Sequence, residues 1–393
     1  MTSRLLFALL LAATGTAAPA DDHAAMNHGA PKPKLSLNGA FDAQGRLWFA
    51  AVDGEHVVVR RSDDEGRTFD APRVVNATAE SIESGNEAGP KIAFGKRGEI
   101  YLSWTHTLTK PYTGLVRFSR SLDGGATFDA PVTVHRDTSE ITHAFDALGV
   151  DGDGRVFVAW IDKRGREAAK AAGEEYVASA VWYAWSTDRG ATFAPERKLA
   201  DHTCECCRLS MARTPRGGMA LLWRQVFDDG LRDHAWAELT ADDKPATIRR
   251  ASYENWKLDG CPHHGPSLAF ARDGTAHAVW FSAADGNKVF YGQLQKAAAP
   301  AALREIAGAG ASHADLGVDG RRVWVTWMQV GDEGQSVKLV MSTDGGKTFG
   351  EARTLATTEA AISQPHVLVH GGKAYALWRS AEGPQVTALG AGP

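Results

Sequence analysis

The 393-residue chain carries 43 Lys+Arg against 47 Asp+Glu, a formal net charge of −4 at pH 7. That near balance, with no basic stripe, excludes nucleic acid and anionic membrane surfaces as expected partners. Twelve Trp and 41 Gly point to many short strands separated by turns, and past the amino-terminal segment no stretch approaches the roughly 18 apolar residues that a spanning helix needs.

The chain opens with Arg4, an apolar run from Leu5 to Ala13 and the triplet Ala18-Pro19-Ala20. A cationic start, an apolar run too short to span a bilayer and small residues at the end form the pattern of an export signal. Residues 1–20 are therefore expected to be cleaved and the chain to be periplasmic or secreted. No cysteine follows the cleavage point, so lipid attachment is not expected. Cleavage would expose Asp21-Asp22-His23 on a polar segment, 21–33, that also holds Met26 and His28. The triplet resembles the amino-terminal copper and nickel motif, where the free amine, two deprotonated amides and an imidazole give square-planar ligation suited to Cu(II). His23 is thus a candidate ligand; a plain polar leader is the alternative.

From residue 34 onward one motif repeats, at Ser62–Phe69, Ser121–Phe128, Ser186–Phe193 and Ser342–Phe349, each reading S-x-D-x-G-x-T-F. The Asp can cap turn N–H groups, the Gly can take positive φ and the Phe can anchor the turn on a core. This pattern resembles the Asp-box (BNR) repeat of the sialidase-like β-propellers. Between the boxes, a Gly- or Asp-rich turn precedes a strand ending in Trp, at Trp104, Trp160, Trp223, Trp280, Trp327 and Trp378, with spacings of 47 to 63 residues. That is the length of one four-stranded blade, and the Trp residues are expected to pack between blades. Innermost strands are predicted to start near Asn38, Pro90, His143, Cys207, His264, His313 and Pro365. The fold class predicted is all-β: a β-propeller of seven four-stranded blades over 34–393, with six as the alternative. Ring closure is expected from pairing of the amino-terminal strand, Lys34–Leu37, with the carboxy-terminal blade, which lacks a fourth strand of its own. Arg166–Glu175, rich in Ala, Glu and Lys, is predicted to be a helix on a loop of the third blade.

Strands alternate direction within a blade, so the boxes, at the third-to-fourth turns, face away from the segments leading into the innermost strands. Those lead-ins read Thr142-His143, Cys204-Glu205-Cys206-Cys207, Cys261-Pro262-His263-His264, Ser312-His313 and Pro365-His366, and they hold all four cysteines. Soft and borderline donors recurring around one axis suit a transition metal. Cys204, Cys206, Cys207, Cys261, His263 and His264 are the candidate ligands, with His143, His313 and His366 as further ligands or groups that orient them. Thiolate and thioether favour Cu(I), so copper is expected ahead of zinc. Two other chemistries remain open for the cysteines in an oxidising compartment: a structural disulfide with two spare thiols, and a redox role. The partners implied are a transition metal ion and either a periplasmic metal-handling protein or a glycan.

The sialidase resemblance also implies a glycosidase, whose enzymatic members use three arginines, a Tyr nucleophile paired with Glu, and an Asp acid/base. The chain departs from that set. It lacks the Arg-Ile-Pro-type motif, and none of its Tyr residues sits beside a Glu at a lead-in. Glu87, Asp146 and Arg208 are the weak catalytic candidates; Arg224 and Arg379, in Trp-Arg pairs, are expected to be surface or inter-blade charges.

Overall fold

A computed structural model of the chain describes residues 34–390 apart from positions 86, 177 and 243. The proposed export signal, the 21–33 segment and His23 lie outside the described residues. No helix among the described residues is long and apolar enough to cross a membrane.

The chain forms a ring of seven antiparallel sheets in sequence order, spanning 37–74, 91–133, 143–203, 210–250, 267–307, 311–358 and 366–388. It is an all-β propeller of seven blades, so the six-bladed alternative falls. The innermost strands are Leu37–Phe41, Lys91–Phe94, His143–Val150, Ser210–Arg213, Ser267–Phe270, Ala311–Asp319 and His366–His370. Second strands read as near-continuous apolar runs, such as Val156–Asp162 (VFVAWID), buried at every residue. A blade has neighbours on both faces, so its central strand has no wet side and the usual alternation disappears. The outermost strands of the first, second and fourth blades are two residues each, Arg73–Val74, Val132–Thr133 and Arg249–Arg250; edges this short offer little for another chain to pair with.

The core is not central. It is divided into seven apolar clusters, one in each cleft between adjacent blades. Trp104, Trp160, Trp223, Trp280, Trp327 and Trp378 each lie in such a cleft, and the first three are fully buried. Burying one Trp removes about 150–250 Å² from water, roughly 4–6 kcal/mol at about 25 cal/mol per Å² as an upper estimate.

The four repeated turns share one hydrogen-bond scheme. In the first, Ser62 Oγ donates to Asp64 Oδ1 (2.7 Å) and accepts from the Gly66 N–H (2.7 Å), while Asp64 accepts from the Thr68 N–H (2.9 Å) and hydroxyl (2.7 Å). Each turn also leans on the preceding blade: Phe193 meets Phe118 edge-on at 4.9 Å, and Phe349 meets Tyr291 likewise. The motif therefore closes its own turn and pins it across a cleft.

Closure differs from the strand-pairing expectation. The seventh blade keeps three strands, and Lys34–Ser36 adds no fourth. The ring closes face to face instead: Leu37, Phe49, Ala51 and Val58 pack with Leu377, and Phe41 stacks on His370 at 5.1 Å. Polar ties accompany this, with Arg379 Nη1 donating to the Lys34 and Val52 carbonyls (3.3 Å each) and Lys373 pairing with Glu65 at 2.6 Å. The inter-blade packing that joins every other pair joins the last pair too, so no extra strand is needed.

The helix lies between the second and third strands of the third blade, at Arg164–Ala172, slightly earlier than predicted. Gly173 (φ 73°) ends it in the left-handed conformation, its N–H capping the Ala169 and Lys170 carbonyls. Glu174 and Glu175 are thereby left outside.

Candidate functional site

Cys204 follows the last strand of the third blade, Arg197–Thr203, and is held by its N–H donating to the Arg224 carbonyl at 2.9 Å. Its Sγ lies 3.8 Å from Cys206 Sγ and 3.5 Å from Cys207 Sγ. All three side chains are buried, with Phe145 packed against them. The four cysteines are free thiols, and these separations are far above the roughly 2.05 Å of a disulfide. They fall close to the edge of a three-thiolate metal site, about 3.8–4.0 Å for metal–sulfur bonds of about 2.3 Å.

Two groupings of donor atoms could hold an ion, each with its atoms within 4.8 Å of one another: Cys204, Cys206 and Cys207, which are buried, and Cys206, Cys261 and His263, of which the last two are exposed. The lead-ins to the fourth and fifth blades thus meet at Cys206. His143, His264, His313 and His366 fall in neither grouping.

The charges divide unevenly among the sulfurs. Hydrogen bonding to Cys206 and Cys207 holds the Cys204 thiol well below its ordinary range, with the Arg224 guanidinium adding to this. Sharing with Cys204 pushes Cys206 up, burial pushes Cys207 up, and hydrogen bonding to Cys206 draws Cys261 down. Arg224 itself is 1 % exposed and spans two blades, donating to the carbonyls of Arg232 (2.8 Å), His264 (3.0 Å) and Phe281 (2.8 Å). The inter-blade expectation for Arg224 and Arg379 holds. On the open side, Lys163 (2.8 Å) and Arg166, at the start of the helix, pair with Glu205 inside the cysteine segment.

Next to the thiols stands a separate brace at the axis. Glu87 Oε2 accepts the Arg208 N–H (2.9 Å) and the Gly265 N–H (2.6 Å), and Oε1 accepts Arg208 Nη1 at 2.7 Å. Arg208 Nη2 reaches on to the Ala314 carbonyl of the sixth blade (2.7 Å). Those two N–H groups would otherwise begin the ladders of the fourth and fifth innermost strands. Glu87 takes them, so the strands start at Ser210 and Ser267 rather than at Cys207 and His264.

The remaining predicted residues scatter around the axis. His313 Nε2 lies 3.5 Å from Glu87, His366 Nδ1 lies 3.5 Å from Asp315, and His264 packs on Phe281 and His313. Burial lowers His264 and His313 to about 3, so both are neutral imidazoles. His143 is buried elsewhere, stacked on His135 at 4.0 Å with Nδ1 on the Gly114 carbonyl (3.0 Å). Asp146 accepts from Ser103 (2.5 Å), and its neighbour Glu83, half-buried, is raised to about 7 by burial and the Asp146 charge. Burial draws the Lys91 ammonium down in turn. The cavity beside Glu87, Lys91 and Arg208 is about 30 Å³, room for about one water, against roughly 300–1,000 Å³ for a ligand pocket. Sequence reasoning missed Arg224 as a buried cation behind the thiols, and missed Glu83 and Lys91. Only the position of Lys91 at the start of an innermost strand hinted at an inward side chain.

These features define the class, a β-propeller with a thiol-rich mouth beside a braced axis. No protein-family model and no curated protein matches the sequence. Solved structures match over most of the chain. They include an ulvan lyase of polysaccharide lyase family PL25 bound to -[GlcA(1-4)Rha3S]- (TM-score 0.59, 10% identity, 90% of this chain and 91% of that one). An α-L-arabinofuranosidase from Fusarium graminearum with an iminosugar inhibitor (0.52, 13%, 83% and 94%) is similar too, as is a Hadza microbial sialidase (0.50, 14%, 88% and 73%). At these identities the likeness is one of fold alone, the β-propeller.

Proposed function

We propose that this chain is an exported propeller of the Asp-box type that binds a transition metal, copper ahead of zinc, at Cys204, Cys206, Cys207, Cys261 and His263. On this reading residues 1–20 are a cleaved signal, the mature protein is periplasmic or secreted, and its task is to sequester copper or pass it to a metal-handling partner. The segment bearing His23 would add an auxiliary Cu(II) site. One observation carries the reading: three buried free thiols whose sulfurs stand at metal-site separations, joined through Cys206 to an exposed Cys–His pair. Buried thiols gain nothing from apolar surroundings by crowding together, whereas thiolate softness and trigonal spacing suit Cu(I). Bridges within Cys204-x-Cys206 or between the vicinal Cys206 and Cys207 are strained, so the competing disulfide account is Cys204–Cys207 with Cys206–Cys261, which the thiol count below tests.

The test is elemental mass spectrometry on protein purified anaerobically from the periplasm, with a free-thiol count before and after chelation. Copper at one or more per chain, with thiols released by the chelator, is expected. Its absence together with thiols locked as disulfides refutes the reading. The Cys206→Ser/Cys207→Ser variant is expected to lose metal and keep its circular-dichroism spectrum; loss of fold instead would make the thiols structural.

A second reading rests on Glu83, a carboxyl raised to about 7 beside Asp146, which is the pairing a glycosidase acid and base need. Glu87 and Asp146, with Arg208, would then serve a glycan at the axis. The small cavity disfavours it. Turnover of a glycoside or polyuronate panel, abolished in Glu83→Gln and Asp146→Asn, would restore it.

A further inference from the structure

We infer that the thiol site holds two metal ions bridged by the Cys206 sulfur: an inner ion on Cys204, Cys206 and Cys207, and an outer, exchangeable ion on Cys206, Cys261 and His263. The inference rests on the metal-binding reading above and adds its nuclearity and its direction of loading.

Engaging all five donors takes two positions. Within each trio every donor atom lies within 4.8 Å of the others, yet the five donors do not merge into one such group. At least one atom of the Cys204–Cys207 pair is therefore more than 4.8 Å from one of the Cys261–His263 pair. An ion bonded to sulfur at about 2.3 Å and to imidazole at about 2.0–2.1 Å cannot touch two donors more than about 4.6 Å apart. A single ion thus cannot reach all five ligands, and each trio offers a position of its own. The Cys206 thiolate has lone pairs for two ions and belongs to both trios. Each thiol that binds gives its proton to solvent.

Exposure separates the two positions. The inner trio is buried, whereas Cys261 and His263 are exposed, so an ion arriving from solvent or from a partner meets the outer position first. His263 sits there with φ 54°, a backbone conformation rare for residues other than glycine. That strain is consistent with a side chain held for a purpose.

Charge favours monovalent ions. Four thiolates with two divalent ions would be neutral, and with two monovalent ions would carry two negative charges. Behind the trio lies the Arg224 guanidinium, buried, hydrogen-bonded to backbone carbonyls and stacked over the Trp256 ring at 5.0 Å, with no carboxylate in ion-pair range among the described residues. A buried cation without a counter-anion is costly, and an anionic metal–thiolate cluster beside it supplies one. Cu(I) fits both this balance and three-coordinate sulfur.

The experiment titrates the mature full-length chain anaerobically with Cu(I) against a colorimetric chelator, with X-ray absorption on the loaded protein. A variant with Ser at Cys204, Cys206, Cys207 and Cys261 supplies the background from the amino-terminal segment, to be subtracted. Two ions per chain, metal–metal scattering, and a fall to one ion in Cys261→Ser/His263→Ala are expected, with circular dichroism confirming that each variant is folded. One ion per chain that survives in Cys261→Ser/His263→Ala overturns the bridged pair while leaving metal binding intact. No ion above background overturns both.

Discussion

Gly345 and Gly346, adjacent in the fourth repeated turn, separate backbone strain from packing in a single pair of variants. Both are left-handed, at φ +82° and +81°, so an alanine at either meets the same backbone penalty of about 1–2 kcal/mol. Their surroundings differ. A Cβ on Gly345 would meet nothing within 4 Å, whereas one on Gly346 would fall 1.8 Å from Tyr291 Oη and 2.4 Å from its Cζ. Tyr291 cannot yield easily: it is fully buried, its hydroxyl is 2.6 Å from His277 Nδ1, and Phe349 stands edge-on against its ring. Overpacking of this kind adds about 1–3 kcal/mol. Gly345→Ala is thus expected to cost about 1–2 kcal/mol and Gly346→Ala about 2–5 kcal/mol. Urea unfolding followed by Trp fluorescence reads the difference as a lower midpoint for Gly346→Ala at unchanged slope. Equal midpoints would refute the claim that these turns are pinned on the preceding blade, leaving the glycine as a demand of the turn alone.

Three further outcomes are expected. His277 is lowered to about 4 by burial; a depressed folded-state value means the unfolded chain binds the proton first, so its contribution is full above about 6.5 and fades as pH falls towards 4. Between pH 6.5 and 5 that is about 2 kcal/mol, and His277→Gln should flatten the wild-type pH dependence of the urea midpoint by that amount; parallel curves would show that His277 does not titrate this way. Glu87→Gln turns one acceptor of the axial brace into a donor facing N–H groups of Arg208 and Gly265, and should destabilise by about 3–5 kcal/mol, with an unchanged unfolding midpoint as the contrary result. Removing the Arg224 charge in Arg224→Met should weaken Cu(I) binding by on the order of tenfold, a charge effect at an effective dielectric near 20, and chelator competition on the folded protein would expose unchanged affinity.

The parts legible in the sequence were those whose chemistry is local. Ser62, Asp64, Gly66 and Thr68 bond within seven residues, so the motif announces its turn without knowledge of the rest of the chain. The Trp within the second strand of the second to seventh blades is equally readable, because a strand covered on both faces must be apolar throughout. The closure was not readable: the cleft that joins the first and last blades brings Leu37 against Leu377 and Leu368 across more than 300 residues, a contact that no local pattern announces. The site was legible in composition and not in partition. Glu87 meets Arg208 and Gly265 across 121 and 178 residues, and no spacing rule reaches that far. Hence the ring of His and Cys expected around one axis resolves into a thiol group at Cys206, a Glu87–Arg208 brace, an Asp315–His366 pair, and His143 buried away from all three.

That partition bears on why the thiols belong to this particular scaffold. Cys207 is followed at once by Arg208, whose backbone and guanidinium are both bonded to Glu87, and the Cys261–His264 segment ends at Gly265, bonded to the same carboxylate oxygen. One carboxylate from the second blade therefore anchors the two loops that bring Cys206 and Cys261 together. The other end of the first loop is fixed by the Arg224 carbonyl, which accepts the Cys204 N–H, and the Arg224 guanidinium takes the carbonyl of the same His264–Gly265 peptide that Glu87 holds. A metal site on loops, as proposed here, is ordinarily imprecise; the first loop is tied to the ring of sheets at both ends and the second at its Gly265 end. Metal geometry held to a few tenths of an ångström needs such support from groups that never touch the ion. Glu87 and Arg224 thus act as positioning residues, and their loss should loosen the ligand set before it unfolds the propeller.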